Sequence, residues 1–412
     1  MKLSDIDLLD RDAFLDGPPH EWFTFLRNNA PVYKHPEPYG DGFWVVTRYD
    51  DVVAINRNAK AYSSDQRRGG VVGLEQVPPN AKGNPFADTE NAPALMLTMD
   101  PPEHTRYRKL VNKGFTPRMI NALEAQIRAT TQRIIDEAVA KGDVDFVIDV
   151  AAELPLQVIA DLLGVPQEDR HQLFHWSNQM IAGGDDPEYQ VADDELGGAY
   201  IGMFGFAHQL AEQRRANPQD DIVTTLINAE VDGDRLSELD FNMFFLLLAV
   251  AGNETTRNAL SHGMNAFLEH PDEYRALVDH PELVGNATEE VLRWASPVMY
   301  FRRNATEDID LHGQQIHEGD KVSIWYASAN RDDAHFDDPF RFDIRRTPNE
   351  HIAFGGGGPH FCLGASLARM EIHVLFEELV QRAPKVEGLD KPDRLRSNFI
   401  AGIKHLPVRL AR

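Results

Sequence analysis

The sequence predicts a mainly α-helical single domain, residues 1–412, with small β-sheets at its periphery. Three observations carry this. An apolar-to-polar run of unusual length covers 238–270. Residues 120–141 place Ile127, Ile134, Ile135 and Ala138 on one face at helical spacing. Strand signals are few and cluster near the two ends of the chain. A length of 412 residues would by itself suggest more than one domain, but no internal repeat or long linker divides it.

Taken in order, Gly42-Phe43-Trp44-Val45-Val46-Thr47 reads as a strand. The Pro/Gly-rich stretch from about Arg67 to Pro93 is the largest candidate loop, and a loop of that length suggests a mobile lid. The long run opens at Ser237 with Asp240 three residues on, a capping-box pattern. It closes at His270-Pro271, because proline disfavours helix in the residue before it. Such a helix would be roughly 45–50 Å long, enough to cross a domain. Ile309–Leu311 and Gln315-Ile316 read as a hairpin turning at His312-Gly313, and Lys321–Trp325 as a further strand. Ala365 to Glu371 reads as the start of another helix.

Composition excludes several roles. A net charge of −24 disfavours non-specific binding to nucleic acid or anionic membrane. The N-terminal residues are acidic and lack the basic, then apolar, pattern of a signal peptide. The most apolar stretch, Phe241 to Gly252, is too short to span a bilayer. With one cysteine no internal disulfide forms. The expectation is a cytoplasmic monomer without a membrane anchor.

Chemistry concentrates around that cysteine. Phe354-Gly355-Gly356-Gly357-Gly358-Pro359-His360-Phe361-Cys362-Leu363-Gly364 contains four consecutive glycines, which serve close backbone approach or conformations closed to other residues. Cys362 sits just ahead of a helix N-terminus, where the dipole and free N–H groups favour thiolate over thiol. A metal ligand fits. An inert buried cysteine, or a nucleophile with a histidine base, are the other readings. In the long helix, Ala251-Gly252-Asn253-Glu254-Thr255-Thr256 interrupts an apolar run with a carboxylate beside hydroxyls. A proton relay explains this; so does a polar kink in which threonine bonds back to a carbonyl one turn earlier. Glu290 and Arg293 lie three apart on one helical face, as do His104 and Arg108 four apart, the latter able to point at one anionic group.

Together, and in this order, these segments resemble the cytochrome P-450 family. Asp100-Pro101-Pro102-Glu103-His104 is similar to the start of its helix C. Ala251 to Thr256 is similar to its oxygen-activating motif, Glu290 to Arg293 to its helix K motif, and Phe354 to Gly364 to its haem-binding loop. Pro339-Phe340-Arg341-Phe342 resembles its meander, with Phe340 where glutamate is common. The resemblance implies a triangular domain holding haem b between the long helix and the cysteine-loop helix. It implies Cys362 as axial thiolate, Thr255 and Glu254 as the proton-handling pair, and room for dioxygen at Ala251 and Gly252. His104, Arg108, Arg303 and His360 would bind the haem propionates, with Phe354 and Gly364 shaping the loop. Glu290, Arg293 and Arg341 would form a buried structural network. Leu95, Met96, Leu247, Leu248, Val298, Met299 and Phe399 would line an apolar pocket. The implied activity is insertion of one atom of dioxygen into a C–H bond of a hydrophobic substrate. Electrons would come from a separate ferredoxin and its reductase, since one cysteine cannot hold an iron–sulfur cluster. Arg106, Lys109, Lys113 and Arg118 form a basic cluster suited to an acidic ferredoxin.

One departure sharpens the resemblance. The family usually places the loop phenylalanine seven residues before the cysteine, and here Phe354 lies eight before Cys362. This longer loop, the Ala251–Asn258 segment and Gly402-Ile403-Lys404-His405-Leu406-Pro407 are similar to an actinobacterial branch that oxidises methyl-branched lipids and sterol side chains. A peroxygenase or isomerase would lose the acid–alcohol pair, which is intact here, and a haem protein without turnover would not need it. A cysteine hydrolase would hold no haem.

Overall fold

The computed structural model of the chain describes residues 1–76, 95–182, 186–189, 193–231 and 233–412. Most of the 67–93 loop expected from the sequence lies outside the described residues. The long helix spans Glu238–Glu269 and opens with a full capping box. The Asp240 N–H donates to Ser237 Oγ at 3.1 Å and the Ser237 N–H to Asp240 Oδ2 at 3.0 Å. It is the axis of the molecule: the helices Glu153–Leu163, Arg170–Ala182, Asp193–Ala216, Val284–Ala295 and Ala365–Arg382 all pack on it. Burial on nearly every side explains why its first half is almost continuously apolar, from Phe241 to Ala251, before the polar segment Asn253–Asn258.

The helix expected at 120–141 spans Pro117–Lys141, with proline in its first turn and the Met119 N–H donating to Thr116 Oγ1. Ile127, Ile134, Ile135 and Ala138 are buried as their spacing requires. Its other face meets Ala365–Arg382 through Arg128, which bonds Glu377 and Glu378.

The principal sheet joins the two ends of the chain. Val32–His35 pairs antiparallel with Phe43–Val46, which runs parallel to Lys321–Trp325; that strand pairs antiparallel with Tyr300–Ala305, and Tyr62–Ser63 completes the far edge. The hairpin Ile309–Leu311 to Gln314–Ile316 turns at His312 and Gly313, both at positive φ. The sheet has its own apolar cluster, separate from the large helical core. Among the described residues, no helix is long and apolar enough to cross a membrane.

Candidate active site

The cysteine loop explains its glycines. Gly355, Gly356, Gly357 and Gly358 all have positive φ, at 100°, 62°, 100° and 80°. Side chains rarely tolerate that region. A Cβ on Gly358 would lie 2.2 Å from the Asn56 carbonyl oxygen, so the loop also seats directly on the helix Tyr49–Arg57. The loop is therefore a run of four positive-φ residues that favours glycine at each position. The loop is pinned at its start, where the Ile352 N–H donates to Asn330 Oδ1 at 2.8 Å. It closes where the Cys362 N–H donates to the Phe354 carbonyl at 3.0 Å.

Cys362 is accessible yet surrounded by protein, as a group on the wall of an interior cleft must be. Burial pushes its thiol pKa up; the Gly364 N–H and the charges of Arg108 and Arg369 oppose this. Gly364 caps the helix Ala365–Arg382, so the dipole adds to the same effect. A bound cation at the sulfur would complete the compensation.

Four basic side chains gather beside the thiol. The His104 and His360 rings lie 4.2 Å apart, and Arg303 and His104 are buried. Burial and the neighbouring Arg108 hold His104 at about 4. Burial, Arg303 and His104 hold His360 at about 2. Arg303 donates to Asn56 Oδ1 at 3.1 Å and to the Arg302 carbonyl at 2.8 Å, and Arg108 to Asn112 Oδ1 at 3.1 Å. Among the described residues neither guanidinium has a carboxylate in salt-bridge range. His360 Nε2 is buried without a partner. Two guanidinium charges, two neutral imidazoles able to donate beside them and an orphaned buried nitrogen suit an anionic ligand with several oxygens. Haem, with two propionates and an iron for the sulfur, fits this set.

On the long helix, Ala251 is exposed between half-buried neighbours and Thr255 is partly exposed one turn on, so this turn faces open space. The Thr255 hydroxyl donates to the Ala251 carbonyl at 2.7 Å, the kink geometry that the sequence left open beside the relay. Glu254 points elsewhere. It is buried and paired with Arg257, whose Nη1 reaches Asn178 Oδ1 at 3.3 Å. Burial raises the Glu254 pKa against the Arg257 charge. Glu254 Oε1, Arg257 Nε and both side-chain polar atoms of Asn253 are buried without partners. Arg257 was missed from sequence, although its spacing of three from Glu254 was a usable signal.

Three expectations need correction. Gly252 does not leave room for a ligand: a Cβ there would meet Ile159 Cδ1 at 2.6 Å, so the glycine admits the neighbouring helix Glu153–Leu163. Arg341 is not in the buried network, since its side chain is 61% exposed. Its carbonyl accepts from Arg293 and Arg346, and the third charged member is Arg346, whose Nε lies 3.2 Å from Glu290 Oε2. Met299 does not stand on an open pocket wall: it is 1% exposed in the core beneath the sheet, with Phe14, Tyr300 and Trp325, and borders only a small cavity shared with Phe14 and Ile400. Of the other apolar candidates, Met96 and Leu248 are buried in the helical core, while Leu95, Leu247, Val298 and Phe399 keep accessible surface. Arg106, Lys109, Lys113 and Arg118 are all exposed, with Arg106 partly neutralised by Asp234 at 3.4 Å.

A family model described as Cytochrome P450 matches residues 195–398. The chain is 44% identical over 408 residues to a steroid C26-monooxygenase of Rhodococcus jostii (strain RHA1), covering 98% of this chain and 84% of the relative. It is 42% identical over 418 residues to a methyl-branched lipid omega-hydroxylase of Mycobacterium tuberculosis (strain ATCC 25618 / H37Rv), covering 98% and 95%. Among solved structures, a Mycobacterium marinum cytochrome P450 in complex with pseudoionone superposes with a TM-score of 0.88 at 39% identity, covering 98% of each chain. A Bacillus megaterium P450 in complex with testosterone superposes at 0.81 and 34% identity, covering 95% and 99%.

Proposed function

We propose that this chain, which belongs to the cytochrome P450 family, is a haem-thiolate monooxygenase that hydroxylates the branched aliphatic end of a steroid side chain or methyl-branched lipid. The class of reaction follows from the family and from relatives named for it. The choice of substrate end rests on one observation. The chain is nearly equally similar, at 44% and 42%, to a relative named for a steroid position and one named for the omega position of a branched lipid. What those two substrates share is a branched alkyl terminus, not a ring system. The partly exposed Leu95, Leu247, Val298 and Phe399 supply an apolar wall for it.

When bound, the haem supplies the oxygen chemistry. Cys362 holds it as thiolate, while His104, Arg108, Arg303 and His360 take the propionates. Ala251 keeps the helix face small where substrate and dioxygen meet. Thr255 keeps its hydroxyl at that face, and Glu254 supplies protons after parting from Arg257. A ferredoxin and its reductase deliver electrons at the surface carrying Arg106, Lys109, Lys113 and Arg118.

The deciding experiment is a spin-state titration of the purified holoprotein followed by product analysis. A steroid with its alkyl side chain and a methyl-branched fatty acid are expected to shift the Soret band and be oxidised at the chain end. The same steroid nucleus without its side chain is expected to do neither. Ring hydroxylation of the bare nucleus would overturn the assignment. For the electron donor, charge reversal of Lys109 and Arg118 should slow reduction by an acidic ferredoxin and flatten its salt dependence; unchanged rates exclude that surface.

A further inference from the structure

The helix Val284–Ala295 carries two successive carboxylates, Glu289 and Glu290, about 100° apart around its axis. They anchor different things. Glu290 takes Arg293 and Arg346, as described. Glu289 takes two residues that flank the cysteine loop. Arg369, from the helix after Cys362, donates Nε to Glu289 Oε1 at 2.7 Å and Nη2 to Oε2 at 3.0 Å, a two-pronged fork. His351, from the chain before the loop, places Nε2 3.0 Å from Glu289 Oε2. The Ala353 N–H donates to His351 Nδ1 at 3.3 Å, so Nδ1 accepts and Nε2 carries the proton to Glu289. Burial alone would raise the Glu289 carboxyl, but the bonds from His351 and Arg369 outweigh it and hold it at about 2. It is therefore a fixed negative charge.

The other side of Arg369 faces the loop. Its guanidinium carbon lies 4.6 Å from the Phe354 ring centroid. The Phe354 carbonyl is the acceptor for the Cys362 N–H. The Arg369 charge also acts on the Cys362 sulfur directly. A cation there withdraws electron density from a thiolate; a carboxylate forked onto that cation gives most of it back. We propose that Glu289 is a positioning residue for Cys362, setting how strongly the thiolate donates to the iron by neutralising Arg369 behind the cysteine loop. The inference rests on Cys362 being the haem ligand.

The test is a spectroelectrochemical titration of the one-electron midpoint potential of substrate-free holoprotein. The reduced carbon-monoxide spectrum is recorded on each sample to report thiolate ligation separately. Glu289→Gln keeps the shape of the fork and leaves the Arg369 charge uncompensated. It should raise the ferrous-to-ferric ratio at fixed potential up to about tenfold, 59 mV for one electron. Arg369→Met should shift the potential the opposite way, and the double variant should return towards the parent. His351→Gln removes no charge and should move it least. A thiolate-shifted carbon-monoxide band with an unchanged potential in Glu289→Gln overturns the proposal. So does movement of both single variants in one direction, which would mark a purely structural role. If Glu289→Gln does not retain haem, Arg369→Met alone decides: a lowered potential supports the proposal and an unchanged or raised one overturns it. Absence of the thiolate band in the parent protein would instead remove the haem-ligand reading itself.

Discussion

Glu290 and Glu254 are both buried carboxylates on helices at the core, each with an arginine three residues on, and they are built differently. Glu290 accepts from Arg293 at 2.7 Å through both oxygens, and from Arg346, Asn349 and the Asp343 N–H. Arg293 in turn donates to the carbonyls of Asn330, Pro339 and Arg341. Among the described residues Glu254 has Arg257 on one oxygen and no partner on the other. A carboxylate with every lone pair engaged fixes the loops around it. One with an idle oxygen, an idle Arg257 Nε and an idle Asn253 amide beside it can exchange partners at small cost. The side that holds the thiolate is thus locked, and the side proposed to handle protons is left incomplete.

The largest effect should come from breaking the locked pair. Arg293→Ala strips buried Glu290 of its two-pronged partner and the carbonyls of Asn330 and Pro339 of their donor, and should cost about 3–5 kcal/mol. The expected outcome is little soluble holoprotein and a steep loss of Tm. Near-parental Tm with haem retained would mean the network is ornamental. At the incomplete pair, Glu254→Gln should leave the fold and the carbon-monoxide spectrum intact but lower turnover by about 10²-fold, within the range for a proton-transfer residue. The comparison fails if Glu254→Gln unfolds the protein or turns over normally.

A narrower test separates Arg346 from Arg341. Arg346 bonds Glu290 and the carbonyls of Asp337, Asp338 and Arg341. Among the described residues Arg341 has only Asp343 at 3.9 Å, on the surface. Arg346→Ala should cost about 2–3 kcal/mol and Arg341→Ala under about 0.5 kcal/mol. Chemical denaturation of the two variants side by side reads this directly, and equal losses would return Arg341 to the network.

This pair also shows where the sequence stops being legible. Two arginines five apart in an aperiodic segment look alike; which one turns inward depends on where the chain places its carbonyls. Gly252 is similar: its sequence marks a missing side chain, and only the packing of Ile159 says which neighbour uses the space. The long helix was legible because its cap and its terminating proline are local signals. Glu153–Leu163 was not singled out, although Glu153, Gln157 and Asp161 recur every four residues on an otherwise apolar helix, because Pro155 near its start reads as a breaker. Asp193–Ala216 hid behind Gly197, Gly198, Gly202 and Gly205. The cysteine loop was legible because its glycines and cysteine are contiguous. Arg346 and the Glu289 fork were not, because their partners come together only in the fold; Arg257, three residues from Glu254, did carry a local signal.

The smallest effect is expected where the incomplete side meets the C-terminal strands. Residues 186–189, between the helices Arg170–Ala182 and Asp193–Ala216, are fastened to the strand Ile403–His405 by charge. Lys404 Nζ lies 3.3 Å from Asp186, 2.9 Å from Glu188 and 3.4 Å from Asp393. His405 presents Nδ1 to Asp145 at 2.6 Å and Nε2 to Glu188 at 3.1 Å. Both ring nitrogens face carboxylates, so both bonds are charge-assisted only in the imidazolium. The bond to Asp145, then that to Glu188, raises the His405 pKa against partial burial. A raised folded-state pKa stabilises fully below the unfolded value of about 6.5 and is lost as pH climbs through the folded value. Because the ring is 39% exposed, screening limits the contribution to under about 1 kcal/mol. His405→Gln should therefore lower Tm at pH 6 and have almost no effect at pH 9. Lys404→Met, whose charge is held well above the usual range by Glu188, Asp186 and Asp393 despite burial, should lower Tm equally at both. If the His405→Gln deficit is the same at pH 6 and pH 9, His405 is held by packing, and residues 186–189 have no protonation-dependent fastening there.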